Sequence, residues 1–123
     1  MISNPSPRIW DTRRREKQRR IASLGLTHKV LPTDDLVAML EKLIVPGDRV
    51  VMEGNNQKQA DFLSRSLAEV NPQILHDLHM IMPSVGRSEH LDIFEKGIAR
   101  KLDFSFSGTQ SLRISQLLED GQL

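Results

Sequence analysis

A chain of 123 residues, 38% apolar and 27% charged, has the make-up of one globular domain with a modest core. It contains no cysteine, which excludes disulfides, thiolate metal sites and a cysteine nucleophile. No apolar run approaches the roughly 20 residues needed to cross a bilayer, and the first residues lack an apolar signal core, so a cytoplasmic, non-membrane protein is expected.

The net charge of +1 conceals an asymmetry. Residues 1–31 hold eight Lys/Arg against Asp11 and Glu16, whereas residues 32–123 hold nine against fourteen acids. The expected organisation is a basic arm, 1–31, ahead of a mildly acidic domain, 32–123.

Residues 1–12 carry two prolines and little periodicity, so a disordered or loosely docked start is expected. Trp10 is the residue that would pin it to an apolar surface. Residues 13–24, R-R-R-E-K-Q-R-R-I-A-S-L, are good helix formers and end at Gly25, a C-cap type. Such a basic helix either docks an acidic protein partner or nucleic acid, or is a solvated helix whose Ile21 and Leu24 rest on the domain. No aromatic residues interleave the arginines to stack on bases, which argues against nucleic acid.

Pro32-Thr33-Asp34-Asp35 is a helix start, with Thr33 as cap and two acids at the positive end of the dipole. Leu36, Val37, Leu40, Leu43 and Ile44 follow at helical spacing. Pro46-Gly47 then turns the chain into a strand predicted over Arg49–Glu53. Gly54-Asn55-Asn56 breaks that strand, being residue types that tolerate positive φ. Ala60, Leu63, Leu67 and Val70 mark one face of the next helix, which Asn71-Pro72 ends.

Leu75–Met82 reads as a second strand closed by Pro83, and its run Met80-Ile81-Met82 predicts burial on both faces. Ser88 is an N-cap type ahead of Leu91, Phe94 and Ile98, with Gly97 weakening that helix's end. Leu102, Phe104 and Phe106 alternate as a third strand up to Ser107-Gly108. Ser111–Glu119 is a last helix with Ile114, Leu117 and Leu118 as its buried side. One helix followed by three strand–helix units calls for right-handed crossovers. The fold class is therefore α/β, an open parallel sheet of about three strands with flanking helices. Its open edges lead us to expect a homo-oligomer.

His76 and His79 would share a face on a helix but point to opposite faces of a strand, so no shared metal site is expected. No HExxH or G-x-S-x-G is present. The best candidate site is the turn Gly54-Asn55-Asn56-Gln57. Backbone N–H groups at the following helix start favour an anionic group, the amides add neutral donors and Lys58 a charge. It is neither G-x-G-x-x-G nor a P-loop, and a plain βα turn has the same pattern. Glu53 is either a general base or a solvated side chain.

The blocks W-D-T-R-R-R-E-K-Q-R-R, L-P-T-D-D-L-V-A-M-L, P-G-D-R-V-V-M-E-G-N-N-Q-K-Q-A-D-F-L-S-R-S-L, H-D-L-H-M-I-M and F-E-K-G-I-A-R-K-L-D-F-S-F-S-G occur in that order. From about Trp10 to Leu123 the chain resembles the N-terminal part of bacterial malonate decarboxylase alpha subunits, a family similar to the coenzyme A transferases. The resemblance implies an acyl-carrier-protein transferase in malonate catabolism: acetyl-S-carrier plus malonate gives malonyl-S-carrier plus acetate. It implies a phosphoribosyl-dephospho-coenzyme A prosthetic group on the carrier, no metal, and other malonate decarboxylase subunits as partners. It puts Gly54, Asn55, Asn56 and Gln57 at the thioester region. Family subunits are several times longer, and the transferases' nucleophilic glutamate lies in a second half with no counterpart here. No catalytic residue is assigned, and this stretch alone is expected to be inactive. From a different class, the alternative is a non-catalytic interaction module that uses the basic arm.

Overall fold

The computed structural model describes residues 8–54, 60–105 and 107–123. Strands β1 (Arg49–Val51), β2 (Leu78–Ile81) and β3 (Ala99–Asp103) lie in that order, all parallel. The described helices are α1 (Ile9–Ser23), α2 (Leu36–Leu43), α3 (Asp61–Leu67), α4 (Glu89–Glu95) and α5 (Ser111–Glu119). Strand–helix alternation thus produces the open three-stranded parallel sheet with flanking helices that the periodicities predict.

The register pairs Val50 with Met80 and Met80 with Leu102, so these share one face of the sheet. That face carries the core. Leu78, Met80 and Met82 are fully buried there with Leu67 of α3, Val70 just beyond it, Phe94 of α4, and Ile114 and Leu117 of α5. On the other face His79 and Ile81 are only half-buried and Val51 is 70% exposed. The two-faced burial expected of Met80–Met82 is therefore corrected: the run reads as continuous because methionine and isoleucine occupy both faces, yet only one is covered.

Several boundaries move for identifiable reasons. The second strand starts at Leu78 rather than Leu75 because Asp77 adopts a left-handed φ of 54° just before it. The third strand begins at Ala99, earlier than expected. Gly97, at φ 75°, ends the α4 region, and Ile98 and Ala99 are already packed in the core. Phe104 lies beyond that strand and is 42% exposed, and Phe106 is outside the described residues.

α3 is rotated from its expected face. Leu63 is exposed, while Ser64 and Ser66 are buried with Leu67. Both serines manage this by donating to the carbonyl four residues back: Ser64 Oγ to Ala60 at 2.6 Å and Ser66 Oγ to Phe62 at 2.8 Å. In α5, Ile114 and Leu117 are buried as expected but Leu118 is 57% exposed. Arg113 accounts for α5's orientation, since its guanidinium spans Asp92 at 2.8 Å and Glu95 at 2.9 Å on α4 and donates to the Ser88 carbonyl. Burial lowers the Arg113 pKa, but those partners more than offset it, so the group lies above its ordinary value.

The basic arm docks mainly by charge: of the two apolar residues expected to rest on the domain, only Leu24 is half-buried. Ile21 is 47% exposed, and Trp10 is 56% exposed under the Arg8 guanidinium, 4.9 Å from its ring centre. Instead Lys17 Nζ reaches Asp48 Oδ2 at 2.6 Å and the Leu43 carbonyl at 3.0 Å. Thr33 makes no capping bond, and the chain enters α2 through a short 3-10 turn, Thr33–Asp35. The α2 stripe, including Val37, Leu40 and Ile44, packs on the core only half-buried. No described helix is long and apolar enough to cross a membrane.

Candidate functional site

β1 does not stop abruptly at Val51. Met52 is buried and donates its N–H to the Ile81 carbonyl at 3.0 Å, continuing the pairing by a residue. The chain then leaves through Gly54 and returns at Ala60, whose N–H bonds the Glu53 carbonyl at 3.2 Å. That bond closes the base of the turn at the carboxyl end of β1. In open parallel sheets ligands bind at this end. Asn55, Asn56 and Gln57, on which the sequence expectation rests, lie outside the described residues; Gly54 lies within them.

Gly54 is required for a reason different from the expected one. Its φ is not in the left-handed region. Its backbone instead lies so close to the segment after β2 that a Cβ would overlap the Ser84 carbonyl oxygen. The same Cβ would come within 3.4 Å of Cε1 of His90. The ends of β1 and β2 are thus pressed together over the first turn of α4.

His90 is the functional candidate that periodicity missed. It is fully buried, and neither ring nitrogen has a hydrogen-bond partner. Burial depresses its pKa, with Arg87 acting the same way and Glu89 and Asp61 opposing. The imidazole is therefore neutral near pH 7, with one nitrogen a donor and the other an acceptor. Charged groups at the starts of α3 and α4 pair off nearby: Arg87 donates to Glu89 at 3.3 Å, and Arg65 to Asp61 at 3.2 Å. Glu53 is exposed, in keeping with a solvated side chain. A contact between residue 54 and residues 84 and 90 has no signature in spacing, which is why the sequence did not reveal it.

The start of α3 is less open to an external anion than the sequence implies. The helix has seven residues, and the Phe62 N–H already bonds the Asp61 carboxylate, which holds that acid's pKa below its ordinary value. Beside the turn, along the outer edge of β1, runs an apolar groove of about 370 Å3 between α2 and α3 that includes Leu40, Ile44, Leu63 and Glu53. Among the described residues no cluster of His, Asp or Glu is arranged to hold a metal. His76 pairs with Asp77 and His79 with Asp103, each at 2.8 Å, so the two histidines serve separate partners.

Residues 9–123 match the family model described as malonate decarboxylase, alpha subunit, transporter. An acetyl-S-ACP:malonate ACP transferase of Malonomonas rubra is 41% identical over an alignment of 119 residues that covers 94% of this chain and 22% of that protein. Two solved structures are also similar. The malonate decarboxylase alpha subunit of Acinetobacter baumannii is 70% identical with a TM-score of 0.86, over 94% of this chain and 22% of that one. A chain of a Pseudomonas malonate decarboxylase hetero-tetramer, solved with malonate, is 74% identical with a TM-score of 0.87, over 95% and 22%. The chain spans about a fifth of the length of these relatives.

Proposed function

The chain belongs to the malonate decarboxylase alpha subunit family, and from that premise we propose that it forms the N-terminal part of an acyl-carrier-protein transferase. The reaction is acetyl-S-carrier plus malonate giving malonyl-S-carrier plus acetate. The observation that carries this reading is the 41% identity, across 94% of the chain, to a relative named for that transfer. The chain spans 22% of that relative, and no residue of it is assigned the covalent step. Its partners are then the acyl carrier protein and other malonate decarboxylase subunits, in the cytoplasm.

Within this stretch the role is to seat the carrier's phosphoribosyl-dephospho-coenzyme A group, which supplies the thiol. The Gly54–Gln57 turn takes the thioester end. What supports that assignment is the place of Gly54 just past the carboxyl end of β1, where open parallel sheets bind their ligands. Neutral donors next to a developing oxyanion contribute most when the site excludes water. The test is Asn56→Ala in a subunit of the relatives' full length that carries this segment. Carrier transfer should fall by about a hundredfold or more, as for loss of one donor to a reacting oxygen, while the melting temperature stays unchanged. Unaltered kinetics would remove the turn from the site.

A further inference from the structure

At the amino end of β1, opposite the Gly54 turn, α1 and the segment from Val45 to Arg49 enclose a cleft of about 310 Å3. Arg13, Lys17, Arg20 and Arg49 line it together with Glu16 and Asp48, four cations against two carboxylates. Asp48 is already engaged. Its Oδ2 accepts from Lys17 Nζ at 2.6 Å and from the Val45 N–H at 3.1 Å. Arg20 is left with little: its Nη2 stands 4.0 Å from Asp48, and its Nε and Nη1 are buried with no acceptor. Desolvated donors of a cation left unbonded are costly, and native structures rarely keep them.

We propose that this cleft binds a dianionic oxyanion, a phosphate monoester or a dicarboxylate, with Arg20 as its principal ligand. Two negative charges balance the lining, whereas one leaves it cationic. The guanidinium edge that carries Nε and an Nη matches two oxygens of such a group. Rotation about the end of the Arg20 side chain, which remains 23% exposed, turns that edge from the wall toward the cleft. Arg13 and Lys17 on α1 and Arg49 on β1 close around the same charge. Occupancy therefore clamps α1 to the domain. The site lies at the opposite end of β1 from the proposed transfer site and does not depend on it.

The experiment is calorimetric titration of the 123-residue chain with inorganic phosphate and with succinate, at fixed ionic strength, with acetate as the monoanion. At least one dianion should bind saturably and raise the melting temperature, and acetate should bind markedly more weakly. The tighter of the two dianions identifies the source of the oxyanion. Arg20→Gln should weaken binding by about tenfold or more, the loss of its charge-assisted bonds. If that variant does not fold, Arg49→Gln on the opposite wall takes its place under the same criterion. No saturable binding of either dianion overturns the proposal, as does binding of undiminished strength in the variant.

Discussion

Gly54 and Ser84 are in such close backbone contact that residue 54 has no room for a side chain. They belong to different strand–helix units, and their approach joins the carboxyl ends of β1 and β2 over His90. The neighbour at fault is a backbone carbonyl, which cannot swing away as a side chain would. Gly54→Ala should therefore destabilise the chain by about 1–3 kcal/mol, the usual cost of overpacking. Urea unfolding measures this directly. An unchanged midpoint would show that the two segments can separate freely.

His90 predicts a pH dependence. Its folded pKa lies below the ordinary 6.5 because burial disfavours the imidazolium. Between the two values the unfolded chain binds more protons than the folded one, so stability is complete above about pH 6.5 and declines as pH falls below it. Melting temperatures from pH 7.5 down to 5 should show that decline, and His90→Phe should flatten it. A wild-type profile level across this window contradicts a neutral, buried His90.

The arm gives a third prediction. Burial raises the Asp48 pKa, but Lys17 and the Val45 N–H outweigh it and leave the carboxyl below its ordinary value. The pair is partly exposed, with side chains 35% and 24% accessible, so its contribution is that of a surface ion pair, about 1 kcal/mol at most. Lys17→Glu should free α1, seen as faster amide exchange over Ile9–Ser23, with little change in global stability. A large loss of stability would make α1 part of the core.

Which features the sequence disclosed depends on how local their cause is. α5 spans Ser111–Glu119 as its own apolar spacing predicts, and Leu91, Phe94 and Ile98 are buried as their spacing requires. Features set by a neighbour were not legible. Ser64 replaced Leu63 on the buried side of α3 because a serine can satisfy its hydroxyl on its own helix, a choice apolar counting ignores. Lys17 rather than Ile21 anchors α1 because its acceptors lie 26 and 31 residues away. The candidate turn rests on Gly54 and three amide residues outside the described ones, and His90 was not singled out, since only the fold brings it to Gly54.

β1 is an outer strand of the sheet, and Val51 projects from it 70% exposed, beside the apolar groove that includes Leu63. Unpaired strand edges with apolar flanks recruit further chain. Light scattering at micromolar concentration should give a mass above 14.0 kDa for the wild type. Val51→Lys should shift it toward the monomer. A wild-type monomer would mean that the edge is protected as it stands.

If this stretch supplies the carrier-binding part of a malonate-dependent transferase, as proposed, it should serve in the place of a relative's own segment. The most direct measurement exchanges residues 9–123 into the matched segment of the Malonomonas rubra transferase. Release of labelled acetate from acetyl-S-carrier is then followed with and without malonate. Malonate-dependent release by the exchanged subunit, its loss in the Gly54→Ala version and none from the 123-residue chain alone are the predicted results. A folded exchanged subunit that releases no acetate, or release by the short chain by itself, would contradict that role.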